Sequence, residues 1–154
     1  LLVTLSKEAY DDWKRYQRDC EANSQLYRRL LPSGACELVP SSDLRVGDVV
    51  VLGKDERVPA DLILLRASDR TGSIFIRTDQ LDGEIDWKLR VALPCCQRLR
   101  EDADVLAEGL SVYAEAPHQD IHSFCGTATL GGSTTEPLNV ENTLWMNTVV
   151  ASGE

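Results

Sequence analysis

The sequence predicts a mainly β domain, arranged as a sandwich or barrel and preceded by a helical arm at the N-terminus. Two observations carry this prediction. After Gly34 the chain consists of short runs of alternating or β-branched apolar residues, and Gly, Pro, Asp and Ser separate one run from the next. Before that point apolar residues recur every three or four positions, which is the period of an α-helix. Regular short strands separated by turns are typical of an all-β fold rather than of a parallel sheet with crossover helices.

The helical arm is predicted over residues 6–32, with Ser6 as the candidate N-cap. A second short helix is expected around residues 24–31, because Pro32 and Gly34 follow it and would end it. The apolar residues of the first helix form one narrow stripe at helical spacing, which is expected to be a packing surface: Ala9, Trp13, Tyr16 and Cys20.

The β body is predicted over residues 35–154. Within it an acidic segment, 98–109, is expected to form either a turn of helix or a solvated loop, and residues 131–137 are expected to be an exposed loop. The predicted strands are residues 35–40, 47–53, 60–68, 72–79, 86–93, 110–117, 127–132 and 144–153.

Composition and charge limit the classes of function that the chain can have. A chain of 154 residues with 43% hydrophobic residues can bury one ordinary core. Its 16 basic and 25 acidic residues give a net charge of −9, which argues against a nucleic-acid partner because phosphate binding needs a basic face. The five cysteines contain no CxxC pair, so neither a zinc site nor a disulfide framework is indicated. His118 and His122 have a spacing that could bind metal on a helix, but they lie in loop-like sequence, so no metal site is predicted.

The apolar N-terminus suggests that the sequence continues a preceding segment. The chain opens with an apolar stretch, residues 1–5, and lacks an initiator Met and a signal-peptide pattern. No run reaches the ~18 to 20 apolar residues that a membrane-spanning helix needs. We therefore expect a fragment whose residues 1–5 are the end of a longer hydrophobic helix.

The stretch Asp79–Arg90, "DQLDGEIDWKLR", is the strongest candidate for chemistry. Asp-Gly between two strand-like runs favours a two-residue hairpin turn, since glycine accepts positive φ. If that turn projects from a rigid body, a carboxylate at its tip could polarise a water in a partner's active site, and Gly83 would let the backbone approach a phosphoryl group. A glycosidase-like pair is a weaker alternative, since only Trp87 supplies an aromatic wall. The carboxylates available to that alternative are Asp79, Asp82, Glu84 and Asp86.

Several spaced motifs resemble the actuator domain of P-type ATPases. The family pattern has Gly-Asp before an apolar strand, then Pro-x-Asp, and later an Asp-Gly-Glu-Thr loop. Only Ile85, at the usual threonine position, departs from it. The matching residues are Gly47, Asp48, Pro59, Asp61, Asp82, Gly83 and Glu84.

Within that family the chain is most similar to the type IV, phospholipid-transporting branch (flippases), and to its Neo1-related monomeric subgroup of Golgi and endosomal pumps. The resemblance covers essentially the whole chain. Its motifs lie in residues 7–27, 75–93, 120–127 and 139–153.

The resemblance implies a distorted jelly-roll or β-sandwich body and a shared catalytic cycle. In the intact pump an Asp in a separate phosphorylation domain is phosphorylated by ATP with Mg²⁺, and the actuator rotates its loop over that aspartyl phosphate. Carried onto this sequence, Glu84 positions or activates the hydrolytic water, Gly83 allows close approach and Asp82 fixes the turn. This chain itself would bind no cofactor and no metal. Ile85 removes the hydroxyl that threonine would supply near the phosphate.

The same resemblance implies the partners and the location. Residues 1–5 would end a membrane-helix stalk, and the arm of residues 6–32 would link it to the body. The partners would be the phosphorylation and nucleotide-binding domains of the same polypeptide and a phospholipid held by membrane segments, with no accessory subunit required. The domain would lie on the cytosolic face of a Golgi or endosomal membrane, in a multi-pass protein. Two alternatives stay open: the actuator domain of a cation pump, and a stand-alone β-sandwich binding module.

Overall fold

The computed structural model describes residues 2–152; Leu1, Gly153 and Glu154 lie outside the described part, and with them the first residue of the predicted stalk and the end of the last predicted strand. The N-terminal helix α1 spans Leu2–Ser24. Ser6 is therefore inside the helix, and its assignment as the N-cap is wrong. The helix contacts the body mainly at the 3-10 turn Ser41–Asp43.

The apolar stripe of α1 is exposed in the described chain, with Trp13 at 53% and Tyr16 at 67% relative exposure. The expected packing surface is therefore left uncovered by the part of the chain that the structure describes, residues 2–152. No helix in this range combines the length and the apolar content needed to cross a membrane.

The predicted second helix at residues 24–31 is wrong, because Leu26–Leu30 forms strand β1. This strand pairs antiparallel with Cys36–Pro40 (β2) along its whole length, and with Val50–Val51 (β3) on its other side. Gly34, at φ +81°, makes the tight return between β1 and β2 possible. Leucine and tyrosine recur here at a spacing that fits a helix, but hydrogen bonds to two neighbouring strands outweigh that local preference.

The rest of the body is antiparallel and mainly β, as predicted. The remaining strands are Leu62–Ile63 (β4), Ser73–Arg77 (β5), Trp87–Val91 (β6), Leu110–Ala114 (β7), Gly126–Leu130 (β8), Thr134–Leu138 (β9), Thr143–Leu144 (β10) and Val149–Ser152 (β11). Strand β5 is the centre of a sheet in which β11 and β6 flank it, β8 is the centre of a sheet between β7 and β9, and β10 pairs with β4.

The structure shows regular elements in two segments for which the sequence suggested loops. Thr134–Leu138 is a strand, so the prediction of an exposed loop over residues 131–137 is wrong beyond its first turn. Strand β9 lies at the edge of its sheet, where Pro137 is tolerated because a proline without an N–H can face outward there. A short helix that the sequence did not predict, Pro94–Gln97 (α2), precedes the acidic segment. Within residues 98–109 the helical alternative is the observed one, Ala103–Glu108 (α3).

The core lies in two clusters of buried side chains. One is built around β5, whose inward residues Ile74 and Ile76 pack with Val58 and Leu144. The other packs α2 and α3 against the β7–β8–β9 sheet. Because side chains alternate along a strand, Phe75 and Arg77 of β5 point to the opposite, exposed face. The β5–β6 hairpin is thus anchored from one side and open on the other.

Candidate functional site

The loop between β5 and β6 carries the candidate site. The last paired residues of the hairpin are Arg77 and Trp87, so the loop runs from Thr78 to Asp86 and is longer than the two-residue turn that the Asp-Gly pair suggested. The Thr78 carbonyl oxygen accepts hydrogen bonds from the N–H groups of Leu81 (2.8 Å) and Asp82 (3.0 Å), which folds the first half back on the strand end. The prediction of a tight two-residue hairpin is therefore wrong.

Asp82 is the residue that closes this loop. Its Oδ1 accepts a hydrogen bond from the backbone N–H of Glu84 at 3.0 Å, and its Oδ2 accepts one from the Thr78 hydroxyl at 3.1 Å. The ammonium of Lys88 donates to the same Oδ2. Hydrogen bonding from Lys88, aided by Glu84 and Thr78, lowers the pKa of Asp82 to about 2, although burial acts in the opposite direction. The carboxylate is 10% exposed and is occupied within the loop.

Gly83 supplies the backbone geometry that the loop needs. Its φ is +74°, in the left-handed region that side-chain-bearing residues rarely adopt. A Cβ at this position would meet no heavy atom within 4 Å, so the glycine backbone borders open space. A ligand could therefore approach this backbone more closely than it could approach a residue with a side chain.

Glu84 and Ile85 form the exposed tip of the loop. The Glu84 side chain is 57% exposed, and one carboxylate oxygen lies 2.9 Å from Lys88 Nζ. Ile85 is 88% exposed. A carboxylate that is largely accessible, on a loop whose backbone is fixed by its neighbour, can accept a proton from a water held on another surface.

Lys88 is the site residue that the sequence reasoning missed. It lies on β6, opposite Ile76 of the central strand, and its ammonium bridges the carboxylates of Asp82 and Glu84. The spacing of four between Glu84 and Lys88 is a signal for an ion pair only on a helix. In a loop followed by a strand, only the fold shows that the two side chains meet.

The other residues of the matching motifs lie outside the loop, and two of them, Asp48 and Asp61, hold backbone in place. Asp61 accepts a hydrogen bond from the Met146 N–H at 2.9 Å, and Asp48 accepts one from the Arg45 N–H at 2.9 Å. Pro59 is buried. These contacts indicate structural roles for the motif residues that are distant from Glu84.

The remaining candidates do not form a second site. Of the loop carboxylates only Asp82 and Glu84 share a partner, while Trp87 packs against Phe75 on the outer face, with ring centroids 6.1 Å apart. The ring of His118 contacts Glu115 at 3.0 Å. Across residues 2–152, no group of three or more His, Cys, Asp or Glu side chains is arranged to hold a metal ion.

Comparison with known proteins identifies the family. The P-type ATPase actuator domain family matches residues 23–154. The chain is 52% identical over 156 residues to the "Probable phospholipid-transporting ATPase IIB" of Bos taurus, 51% identical over 156 residues to the "Probable phospholipid-transporting ATPase tat-5" of Caenorhabditis elegans, and 50% identical over 152 residues to the "Phospholipid-transporting ATPase NEO1" of Saccharomyces cerevisiae.

Each of these alignments covers 99% of this chain, but only 13% or 14% of the relative. The similarity therefore concerns one domain of much longer proteins. Together with the mainly β fold, the matched range shows that this chain belongs to the P-type ATPase actuator domain family.

Proposed function

We propose that this chain is the actuator domain of a phospholipid-translocating P-type ATPase, and that its Asp82–Gly83–Glu84 loop promotes hydrolysis of an aspartyl phosphate carried by a separate phosphorylation domain. The observation that carries the proposal is the accessible Glu84 carboxylate on a loop that Asp82 closes. The names of the three relatives support phospholipid as the transported class rather than a cation.

The loop residues would divide the work of dephosphorylation. Glu84 would accept a proton from the attacking water, which needs a positioned and ionised carboxylate. Gly83, with open space beside it, would let the loop backbone approach the phosphoryl oxygens. Asp82 would keep the backbone of Glu84 in place through its 3.0 Å hydrogen bond. ATP and Mg²⁺ would act on the other domains, which would lie in the same polypeptide.

Helix α1 would couple this step to transport. It is a continuous helix from Leu2 to Ser24 that contacts the body mainly at the turn Ser41–Asp43. A rotation of the body would therefore be passed to whatever precedes the helix, which we propose to be a membrane segment. The domain would then face the cytosol at an intracellular membrane, of the Golgi or of endosomes.

The test is the decay of the phosphoenzyme in the full-length pump that carries this domain. The phosphoenzyme is formed with radiolabelled ATP, and its decay is followed after addition of unlabelled ATP. Glu84→Gln should slow the decay by roughly 10²-fold or more, the usual contribution of a general base. Glu108→Gln, which neutralises an exposed carboxylate on α3, is the matched control and should decay as the wild type does. Unchanged decay in Glu84→Gln would contradict the proposed role.

The transported class is tested on the same preparation. Phospholipid vesicles of defined headgroup should accelerate phosphoenzyme decay, whereas Na⁺, K⁺ and Ca²⁺ should not. Acceleration by a cation alone would point instead to a cation pump.

A further inference from the structure

Lys88 joins the two carboxylates of the loop to the rigid part of the domain. Its backbone lies in β6 and pairs with β5, the central strand of the sheet. Its Nζ contacts Asp82 Oδ2 and lies 2.9 Å from Glu84 Oε2. The side chain is 24% exposed, so most of its stem is covered while the ammonium reaches the loop.

Within the described part of the chain, the carboxylate of Glu84 has no second partner of this kind. Among residues 2–152, Lys88 is the only side chain that forms an ion pair or hydrogen bond with it. Asp82, by contrast, is also held by the Thr78 hydroxyl and the Glu84 N–H. The orientation of the Glu84 side chain in this loop therefore depends on the ammonium of Lys88.

Charge gives the same residue a second effect. The loop carries four carboxylates, those of Asp79, Asp82, Glu84 and Asp86, and Lys88 offsets one of these negative charges. A phosphoryl group bound to an Asp is itself anionic, so Lys88 would reduce the repulsion as the loop approaches. Hydrogen bonds to Asp82 and Glu84 raise the pKa of Lys88, so the ammonium keeps its proton at neutral pH.

We infer that Lys88 is the positioning residue of this loop: it orients the Glu84 carboxylate, holds Asp82 in the contacts that close the loop, and reduces the repulsion between the loop and the phosphoryl group. This inference rests on the proposed function, since it concerns the same dephosphorylation step. It adds a residue outside the Asp-Gly-Glu triplet to the site and assigns its action to charge and orientation rather than to contact with the reacting atoms.

The experiment follows phosphoenzyme decay in the full-length pump as a function of pH. Lys88→Gln keeps a hydrogen-bond donor but removes the charge, and Lys88→Arg keeps the charge. We expect Lys88→Gln to slow decay at neutral pH by at least 10-fold. The acid limb of its profile should lie at higher pH, because loss of the ammonium makes the carboxylate of Asp82, which closes the loop, easier to protonate. Lys88→Arg should recover most of the rate and the wild-type acid limb.

The controls separate a local from a general effect. Lys54→Gln removes the charge of an exposed lysine in a distant turn and should leave both rate and profile unchanged. The amount of phosphoenzyme formed reports whether each variant is folded. If Lys88→Gln forms none, Lys88→Met, which keeps the apolar stem, is judged by the same criteria.

Two outcomes would overturn the inference. The first is a wild-type rate and acid limb in Lys88→Gln while Glu84→Gln is slow, which would leave the proposed function intact. The second is equal slowing in Lys88→Gln and Lys88→Arg with no movement of the acid limb, which would indicate a requirement for the shape of lysine alone. Unchanged decay in Glu84→Gln would instead remove the proposed function itself.

Discussion

The Nε–H of Arg90 donates a hydrogen bond to the carbonyl oxygen of Thr143, 2.8 Å away, and both residues are buried. Arg90 lies on β6, the strand that follows the candidate loop, and Thr143 begins β10. Next to this contact the Asn142 side chain donates to the Val91 carbonyl oxygen at 2.9 Å. The strand that carries Lys88 is therefore fixed to the segment before the C-terminal strand, as well as to β5.

This contact predicts that Arg90→Met lowers the stability of the domain. Methionine fills similar space but cannot donate, so the buried Thr143 carbonyl oxygen loses a partner, at a cost of about 1–3 kcal/mol in the free energy of unfolding. Urea denaturation followed by circular dichroism measures the change. Arg77→Met, on the exposed face of β5, is the control and should stay within about 0.5 kcal/mol of the wild type. A similar loss in both variants would show that the buried hydrogen bond has no special weight.

Asp82 predicts an acid-dependent loss of stability. Its pKa falls from an ordinary value near 3.8 to about 2 in the folded chain. A lowered pKa means that the ionised form stabilises the fold above pH ~4, and that this contribution disappears as the pH falls towards 2. Thermal unfolding at a series of pH values between 5 and 2 should therefore show a smaller decline for Asp82→Asn than for the wild type. Asp79→Asn, an exposed loop neighbour, should follow the wild-type curve.

Substitution of Gly83 is expected to destabilise the domain through its backbone conformation and not through steric contact. At φ +74° an alanine is strained by about 1–2 kcal/mol, whereas its Cβ would contact nothing within 4 Å. Gly83→Ala should therefore lower the free energy of unfolding by about that amount. Gly83→Asn should be milder, because asparagine adopts the left-handed region more readily. A larger loss in Gly83→Asn than in Gly83→Ala would mean that side-chain bulk, and not φ, decides the effect.

The cysteines predict two classes of thiol reactivity. Cys20, Cys36 and Cys125 are exposed, while Cys95 and Cys96 are buried. Burial raises the pKa of Cys96 to about 12 and also raises that of Cys95, so neither forms much of the reactive thiolate.

Alkylation at pH 8 followed by mass spectrometry should therefore modify the three exposed residues in the native chain, and all five cysteines only after unfolding. Rapid native labelling of Cys96 would contradict the packing of α2 against its sheet.

Replacement of Ile85 by threonine is expected to change the rate of phosphoenzyme decay with little change in stability. Its side chain is 88% exposed, so Ile85→Thr should alter the free energy of unfolding by less than about 0.5 kcal/mol. If the added hydroxyl gains one neutral hydrogen bond near the phosphate, about 0.5–1.5 kcal/mol, phosphoenzyme decay should accelerate by roughly 2- to 13-fold. Ile85→Val, which adds no hydroxyl, is the control for the change in size. Equal decay in all three proteins would show that this position does not reach the reacting group.

Short runs of alternating or β-branched apolar residues predicted most of the strands, most clearly β5, where buried and exposed residues alternate. It failed at β1, where Tyr27 and Leu30 are the buried residues and their spacing of three matches a helix. It also failed at β9, whose threonines and Pro137 read as a turn when the neighbouring strand is not known. In both places pairing with a neighbouring strand decided the structure.

The candidate site, too, could be predicted from the sequence only in part. The Asp-Gly-Glu triplet and the departure at Ile85 are visible in the sequence, and positive φ at Gly83 follows from its residue type. The length of the loop, the closure by Thr78 and the bridge from Lys88 depend on where the β5–β6 pairing stops. No local pattern specifies that point, so these features required the fold.

The hydrogen bonds that converge on Asp82 also bear on how the loop would meet a partner. A flexible loop must give up conformational freedom when it binds, and that entropy opposes association. Here the backbone from Thr78 to Glu84 is already restrained by contacts made during folding. What remains to be ordered lies mainly in exposed side chains, among them Glu84 and Ile85 at the tip, at about 0.5–1.5 kcal/mol for each rotamer-rich side chain that is immobilised. The first half of the loop is thus preorganised, and docking would order side chains there rather than backbone.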